Sequence, residues 1–474
     1  MCGILGLYAP YNVYDELLFG MNTLQHRGQD NAGMVIWGET LYLKKGKGLA
    51  NVIFQDETSV EGKMGLGHIR YATQGDTSLE NAQPFAVNKP FGLAMIHNGN
   101  VTNFEELRKF LSVSHGRVIR SSNDIELILQ AFTLFLERST SLGPDALFAA
   151  VEQTQALVQG AFATIALLAG RGILAFNDPY GIRPLCLGKK QNEKGETSYM
   201  FTSETTTLDY LGYEKVRHLD GGEAVYIDEA RQIHSSRGFL RKRKSFCVFE
   251  YIYFAREDTV FFDRLVATER EAMGRTLAKH FRSAQLNPDI VIDVPSSSYF
   301  CAKGIADELG VPYERGLIKN NYIGRSFISP QQSLREQIVK QKLNVIRSYV
   351  EGKKVAVVDD SIVRGTTSKH IVKLLKQGGA REVYFVSASP PLKFPCVYGI
   401  DLSRKAEIIA SSHSQEAIRR FIGAEALIYP TLEDLRAQFS PDEHCDACFS
   451  GVYPTQVNDE LFLQMEREKS YAGR

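Results

Sequence analysis

The sequence predicts a sheet-rich α+β domain followed by an α/β domain built on a parallel sheet. Three observations carry this. The chain has 474 residues, 44% hydrophobic and 23% charged, enough for more than one packed core. Up to about residue 235 short apolar runs are broken by Gly, Asn and Asp turns. From about residue 285 the pattern becomes strand, turn, helix, strand.

In the first half, Gly65–Tyr71, Gly92–His97 and Ala161–Leu168 read as strands, and Ile125–Leu136 and Pro144–Leu157 as helices packed on them. Residues 236–285 read as a connection with an amphipathic helix around Glu269–Phe281. In the second half, Asp289–Val294, Val355–Val358 and Glu382–Ser387 read as buried strands, with a helix over Lys369–Gln377. Ligands of such sheets sit at the carboxyl ends of the strands. The division is thus a domain of residues 2–235 and another of 236–474.

Lys plus Arg and Asp plus Glu are both 55, so no basic excess points to nucleic acid. The one basic run, Arg241–Lys244, reads as a solvated linker. No apolar stretch approaches the ~20 residues of a membrane helix. The N-terminus lacks signal-peptide character, and Cys rather than Gly at position 2 excludes myristoylation. A cytoplasmic protein without structural disulfides is expected.

Cys2 follows the initiator Met, whose removal is expected before so small a residue. A free α-amine titrates near about 8 and a thiol near about 8.5, so the amine can serve its own thiol as base. An ordinary buried Cys is the alternative for Cys2 in isolation. Its surroundings decide. Cys2-Gly-Ile-Leu-Gly6, Leu24-Gln-His-Arg-Gly-Gln-Asp30, Gly67-His-Ile-Arg-Tyr71, His97-Asn-Gly-Asn100 and Ser122-Asn-Asp-Ile-Glu126 occur in order. Together they resemble the class II glutamine amidotransferases, N-terminal-nucleophile hydrolases of four-layer αββα fold. The resemblance implies that Cys2 attacks the glutamine carboxamide and that Asn98 and the Gly99 N–H form the oxyanion hole. It assigns Arg70 to the glutamine carboxylate and Asp124 to its ammonium. The Arg27 segment and Asp178-Pro-Tyr-Gly-Ile-Arg-Pro184 look like family segments of mainly scaffold character.

Val355–Ser368 is the strongest single motif. An apolar strand delivers Asp359 and Asp360 to its end, and a turn presents Gly365, Thr366, Thr367 and Ser368 before a helix. Hydroxyls and N–H groups at a helix N-terminus suit a sugar phosphate, and the carboxylates suit ribose hydroxyls and a hard ion such as Mg²⁺. The string resembles the phosphoribosyl pyrophosphate motif of type I phosphoribosyltransferases. The resemblance implies that Asp359 and Asp360 serve the ribose and metal, and that Arg364–Ser368 wrap the 5-phosphate. Ser297 matches a third metal-site position. Lys319–Phe327, with Lys319 and Arg325, looks like the loop that closes over the substrate. Ser296 and Asn321 stand where that family usually has an acidic residue and an Arg.

Cys445-Asp-Ala-Cys448 is ambiguous between zinc, redox and cluster ligation. Cys247 and Cys396 lie in segments similar to those of amidophosphoribosyltransferases, one branch of which holds a [4Fe–4S] cluster on cysteines at these four positions. Cys₄ zinc is the physical alternative. Cys186 and Cys301 read as buried small hydrophobes.

The combined resemblance implies an enzyme making 5-phosphoribosylamine, glutamate and pyrophosphate from glutamine and phosphoribosyl pyrophosphate. It implies an internal ammonia route, a homotetramer and feedback by purine nucleotides. A hexosamine-phosphate synthase would need sugar-isomerase domains in place of the Asp359 motif. A phosphoribosyl pyrophosphate-sensing regulator would need a DNA-binding module in place of the glutaminase motifs.

Overall fold

The computed structural model describes residues 1–55, 60–71, 77–139, 142–237, 243–320, 343–402 and 404–463. In the first half two antiparallel sheets stack face to face. One has seven strands with Gly3–Tyr8 and Met64–Arg70 near its centre, and the other six, with Leu93–Val101 and Gly160–Leu168 paired along their full length. Alternation along each strand builds the layers. Ile4 and Tyr8 face Ile96, Ala163, Ile165 and Leu167 between the sheets. Leu5 and Leu7 face outward, beneath the helix Tyr14–Thr23. Phe162, Ala166 and Leu168 face outward from the second sheet, beneath Asp124–Leu136 and Pro144–Leu157. The order helix, sheet, sheet, helix is the expected αββα arrangement.

The second half carries a parallel sheet of Ile290–Asp293, Lys354–Asp359, Glu382–Ser387 and Ala426–Ile428. Ala356 and Val358 face the side of Val266–Ser283 and Tyr299–Leu309. Val355 and Val357 face the side of Thr366–Gln377 and Gln415–Ile422. Burial on both faces is why these strands read as continuous apolar runs.

Two differences from the sequence-based expectation bear on chemistry. The strand expected to stop at His97 runs to Val101, because the ladder to Gly160–Leu168 continues through Asn98 and Gly99. The helix expected from Lys369 begins at Thr366. Its hydroxyl-bearing residues form the first turn itself, after Gly365 turns the chain at φ +73°. The halves share one core, in which Met1, Ala161 and Ile182 of the first pack with Phe246, Phe249 and Tyr251 of the second. Among the described residues no helix is long and apolar enough to cross a membrane.

Candidate active site

Cys2 lies buried at the start of a central strand. Its N–H donates to Asn98 Oδ1 at 3.1 Å, and its thiol stands 3.6 Å from the Tyr71 carbonyl. Asn98 Nδ2 is buried and finds no acceptor. Such an orphan donor costs about 1–3 kcal/mol unless a ligand oxygen meets it. Its neighbour Gly99 runs so close to the next strand that a Cβ would lie 1.8 Å from the Ala161 carbonyl. The structure thus brings Cys2 and Asn98 together, with Gly99 beside them.

Arg70 ends the strand Met64–Arg70, is buried, and donates to Asn31 Oδ1 at 3.3 Å. Asp124 begins its helix, accepts from the Val101 N–H at 2.9 Å, and lies 3.2 Å from His97 Nε2. Burial opposes ionisation of Asp124, yet His97 and that N–H outweigh it and hold the acid below its ordinary range. Gln83 fixes the His97 ring, contacting Nδ1 at 2.9 Å and accepting the His97 backbone N–H at 2.7 Å.

At the second centre Asp359 ends its strand and Asp360 follows it, with the Asp360 N–H on Asp359 Oδ1 at 3.0 Å. Ser297 Oγ donates to Asp360 Oδ2 at 2.7 Å and Ser361 Oγ to Oδ1 at 2.8 Å. Burial, then the charge of Asp360, pushes Asp359 well above the usual carboxylate range. Burial also raises Asp360, against the pull of the two serine hydroxyls. A buried carboxylate thus stands beside a half-buried one. Gly365 precedes a helix that has no side-chain N-cap, so its first amides face outward beside the exposed hydroxyls of Thr366 and Thr367, while Ser368 is buried.

Arg364 instead lies against Glu407, which engages both Nε, at 3.2 Å, and Nη2. Lys319 ends the strand Leu317–Lys319, paired with Leu343–Val345. Asn321, Arg325 and the rest of the expected closing loop lie outside the described residues, as does Arg241 of the basic run.

All four candidate ligand cysteines are buried. Cys247 and Cys445 are cross-strand neighbours. Cys448 sits on the short helix Ala447–Ser450, whose Cys448 carbonyl takes the N–H groups of Lys393 and Phe394, just before Cys396. Burial, then mutual repulsion, raises Cys445 and Cys448 well above the ordinary thiol range, and burial pushes Cys247 up to about 11. The Arg183 guanidinium faces this group, and its buried Nη1 has no hydrogen-bond acceptor. Among the described residues no three His, Cys, Asp or Glu side chains are arranged to hold a metal ion.

Motif reading missed what surrounds Cys2. Arg27, read as scaffold, donates through Nε to the Cys2 carbonyl at 2.9 Å and is clasped by Glu204 and Glu250. A buried Arg demands buried acids, but nothing in the spacing of residues 27, 204 and 250 says which acids meet it.

The glutamine amidotransferase domain model matches residues 68–210 and the phosphoribosyl transferase domain model residues 266–388. Amidophosphoribosyltransferase from Escherichia coli (strain K12) is 41% identical over 98% of this chain and 94% of its own length. The chain belongs to the amidophosphoribosyltransferase family. Amidophosphoribosyltransferase from Saccharomyces cerevisiae is 39% identical over 99% of this chain and 95% of its own. Among solved structures, glutamine phosphoribosylpyrophosphate amidotransferase from B. subtilis, complexed with ADP and GMP, superposes with a TM-score of 0.86. That chain is 37% identical, with 97% of this chain and 98% of that one covered. As in that family, a glutamine amidotransferase domain is joined to a phosphoribosyltransferase domain in one enzyme that amidates phosphoribosyl pyrophosphate with nitrogen from glutamine.

Proposed function

We infer that this enzyme makes 5-phosphoribosylamine, glutamate and pyrophosphate, with Cys2 as the glutaminase nucleophile and Asp359 and Asp360 at the transferase centre. One observation carries the assignment. A single shared core joins a buried Cys2 beside the unsatisfied Asn98 donor to an acidic pair beside an uncapped helix N-terminus.

With Met1 removed, the Cys2 amine takes the thiol proton as Sγ attacks the glutamine carboxamide. Asn98 Nδ2 and the Gly99 N–H receive the oxyanion, a pair typically worth about 3 kcal/mol in the transition state. The amine then protonates departing ammonia, and water hydrolyses the thioester. Arg70 takes the glutamine carboxylate and Asp124 its ammonium.

At the other centre the amides and hydroxyls of residues 365–368 hold the 5-phosphate, while Asp359 and Asp360 take the ribose hydroxyls. Ser297, Asp359 and Asp360 suit Mg²⁺, which when bound neutralises the departing pyrophosphate. Arg364, Lys319 and Arg325 serve the same substrate.

Cys247, Cys396, Cys445 and Cys448 would hold a [4Fe–4S] cluster of structural role, the arrangement expected of the iron–sulfur branch. Four buried thiols near the Arg183 guanidinium support this, since the ligands must be thiolates. One tetrahedral ion with bonds near 2.3 Å needs its sulfurs within about 4 Å of one another. A cubane spreads them wider. Iron and sulfide analysis of anaerobically purified protein tests it, and zinc in their place overturns it. We also propose a cytoplasmic homotetramer inhibited by purine nucleotides. The relative solved with ADP and GMP supports the nucleotide part.

The deciding experiment is pyrophosphate release from phosphoribosyl pyrophosphate and Mg²⁺ with glutamine, with ammonia, and with neither. Release with either nitrogen source is expected. No release from metal-replete protein overturns the reading.

A further inference from the structure

The chemistry above leaves unused the charges that stand behind the nucleophile. Arg27 Nε holds the Cys2 carbonyl at 2.9 Å. Its Nη1 is bound by Glu204 of the same half, and its Nη2 donates to both oxygens of Glu250, from the other half, at 2.9 and 3.1 Å. Arg183 Nη1 stands 3.7 Å from the same Glu250 carboxylate. These four side chains have no exposed surface, and the partly exposed His26 also meets Glu204, through Nε2 at 2.9 Å. Glu250 opens the wide helical turn Glu250–Phe254, which Arg270 fixes by donating to the Tyr251 and Ala255 carbonyls at 2.8 Å each.

The second half also closes the oxyanion strand. Asn100 Nδ2 donates to the Val397 carbonyl at 3.1 Å, and a Cβ on Gly399 would lie 2.8 Å from the Gly99 carbonyl.

We propose that Glu250 is a positioning residue for Cys2, so that the glutaminase centre is complete only when the phosphoribosyltransferase half is docked on it. This rests on reading Cys2 as the nucleophile. With the Glu250 charge gone, Arg27 keeps one full counter-ion and is drawn toward Glu204. The Cys2 carbonyl it holds follows, and the thiol leaves its line to the Asn98 donor. The ends of glutamine, held by Arg70 and Asp124, are not disturbed, so the loss falls on kcat and not on KM.

The test uses full-length Glu250→Gln and Glu250→Asp, with folding checked by thermal melt. It reads glutamine-dependent synthesis, ammonia-dependent synthesis, and the pH profile of Cys2 alkylation by iodoacetamide followed by peptide mapping. Glu250→Gln is expected to lower the glutamine-dependent kcat about thirtyfold, within the ~10²-fold that a misplacement near 1 Å costs. Ammonia-dependent synthesis stays within about twofold, the alkylation profile shifts, and Glu250→Asp lies between wild type and Gln. Equal loss of both activities, or an unchanged glutamine-dependent kcat, overturns the proposal. Should Glu250→Gln not fold, Glu250→Asp alone decides: selective loss supports it, and equal or no loss sinks it. Retention of glutamine-dependent synthesis by Cys2→Ala would overturn the nucleophile assignment itself, whatever Glu250 does.

Discussion

The two chemical centres handle buried charge in opposite ways. Behind Cys2 every charge has a partner: Arg27 lies between Glu204 and Glu250, and the pairs are fully buried. At the transferase centre Asp359 and Asp360 lie together, relieved by two serine hydroxyls, an N–H and the more distant charge of Arg270. The first centre is finished by the protein. The second carries two neighbouring acids with little counter-charge, which is the feature that the proposed Mg²⁺ and ribose roles of Asp359 and Asp360 rest on.

The largest break in this comparison is Cys2→Ala. Removing the nucleophile of a preorganised centre costs at least about a thousandfold. Glutamine-dependent synthesis is expected to vanish while ammonia-dependent synthesis stays within about twofold, as read by pyrophosphate release. Parallel loss of both would merge two centres that the fold keeps apart.

Asp359→Asn and Asp360→Asn strike the other centre. Each is expected to lower synthesis from either nitrogen source about a hundredfold while glutamine hydrolysis persists. The same changes should stabilise the metal-free protein, because each removes one of two repelling buried charges. A melting temperature higher by roughly 2–4 °C per kcal/mol relieved is the expected companion of lost activity. Loss of activity with loss of stability would mean that the carboxylates are structural.

How much of this was legible in the sequence follows the same division. The transferase centre is one strand, one turn and one helix, so Val355–Ser368 announces it. Ser297, which follows another strand end, and the expected Lys319 and Arg325 come from elsewhere. The glutaminase centre gathers Cys2, Arg70, Asn98 and Asp124 from separate elements. Each is an ordinary residue in its own segment, and only the ordered motif set identifies it. Glu204 and Glu250 were not legible, since a buried ion pair across 223 residues leaves no periodicity. The strand past His97 was cut short because Asn and Gly read as a turn, while the full ladder to Gly160–Leu168 overrides that preference. At Arg364 the motif matches, and its exposed side chain rests on Glu407, a partner the motif does not name.

The two centres also carry opposite pH signs. Burial works against ionised Glu204, but His26 and Arg27 outweigh it and depress its folded value below the ~4.3 of an unfolded chain. Its contribution is present above that value and is lost as pH falls through the folded one. Asp359 and Asp360 have raised folded values, chiefly from burial. Their contribution is present below about 3.9 and is lost as pH rises through the folded values. Glu204→Gln should therefore lower the melting temperature about equally from pH 8 down to about pH 5 and less only below about pH 4, while Asp360→Asn should raise it most at pH 8, an effect that shrinks toward pH 4. Shifts of the same sign would show that the charges are not balanced as described.

The smallest expected effect is at Ser297. Its hydroxyl gives Asp360 one neutral hydrogen bond at 2.7 Å, and Ser361 supplies a second at 2.8 Å. A neutral bond to a carboxylate is worth about 1–2 kcal/mol, so Ser297→Ala should cost roughly five- to thirtyfold in synthesis with either nitrogen source. The loss should appear mainly as a higher Mg²⁺ requirement, because without that hydroxyl Asp360 is harder to keep ionised. Titrating Mg²⁺ against pyrophosphate release separates the cases. If saturating Mg²⁺ restores the rate, Ser297 tunes the carboxylate that meets the ion. If it does not, Ser297 acts on the ribose or through the turn it occupies, and the acidic pair stands with Ser361 as its one hydroxyl support.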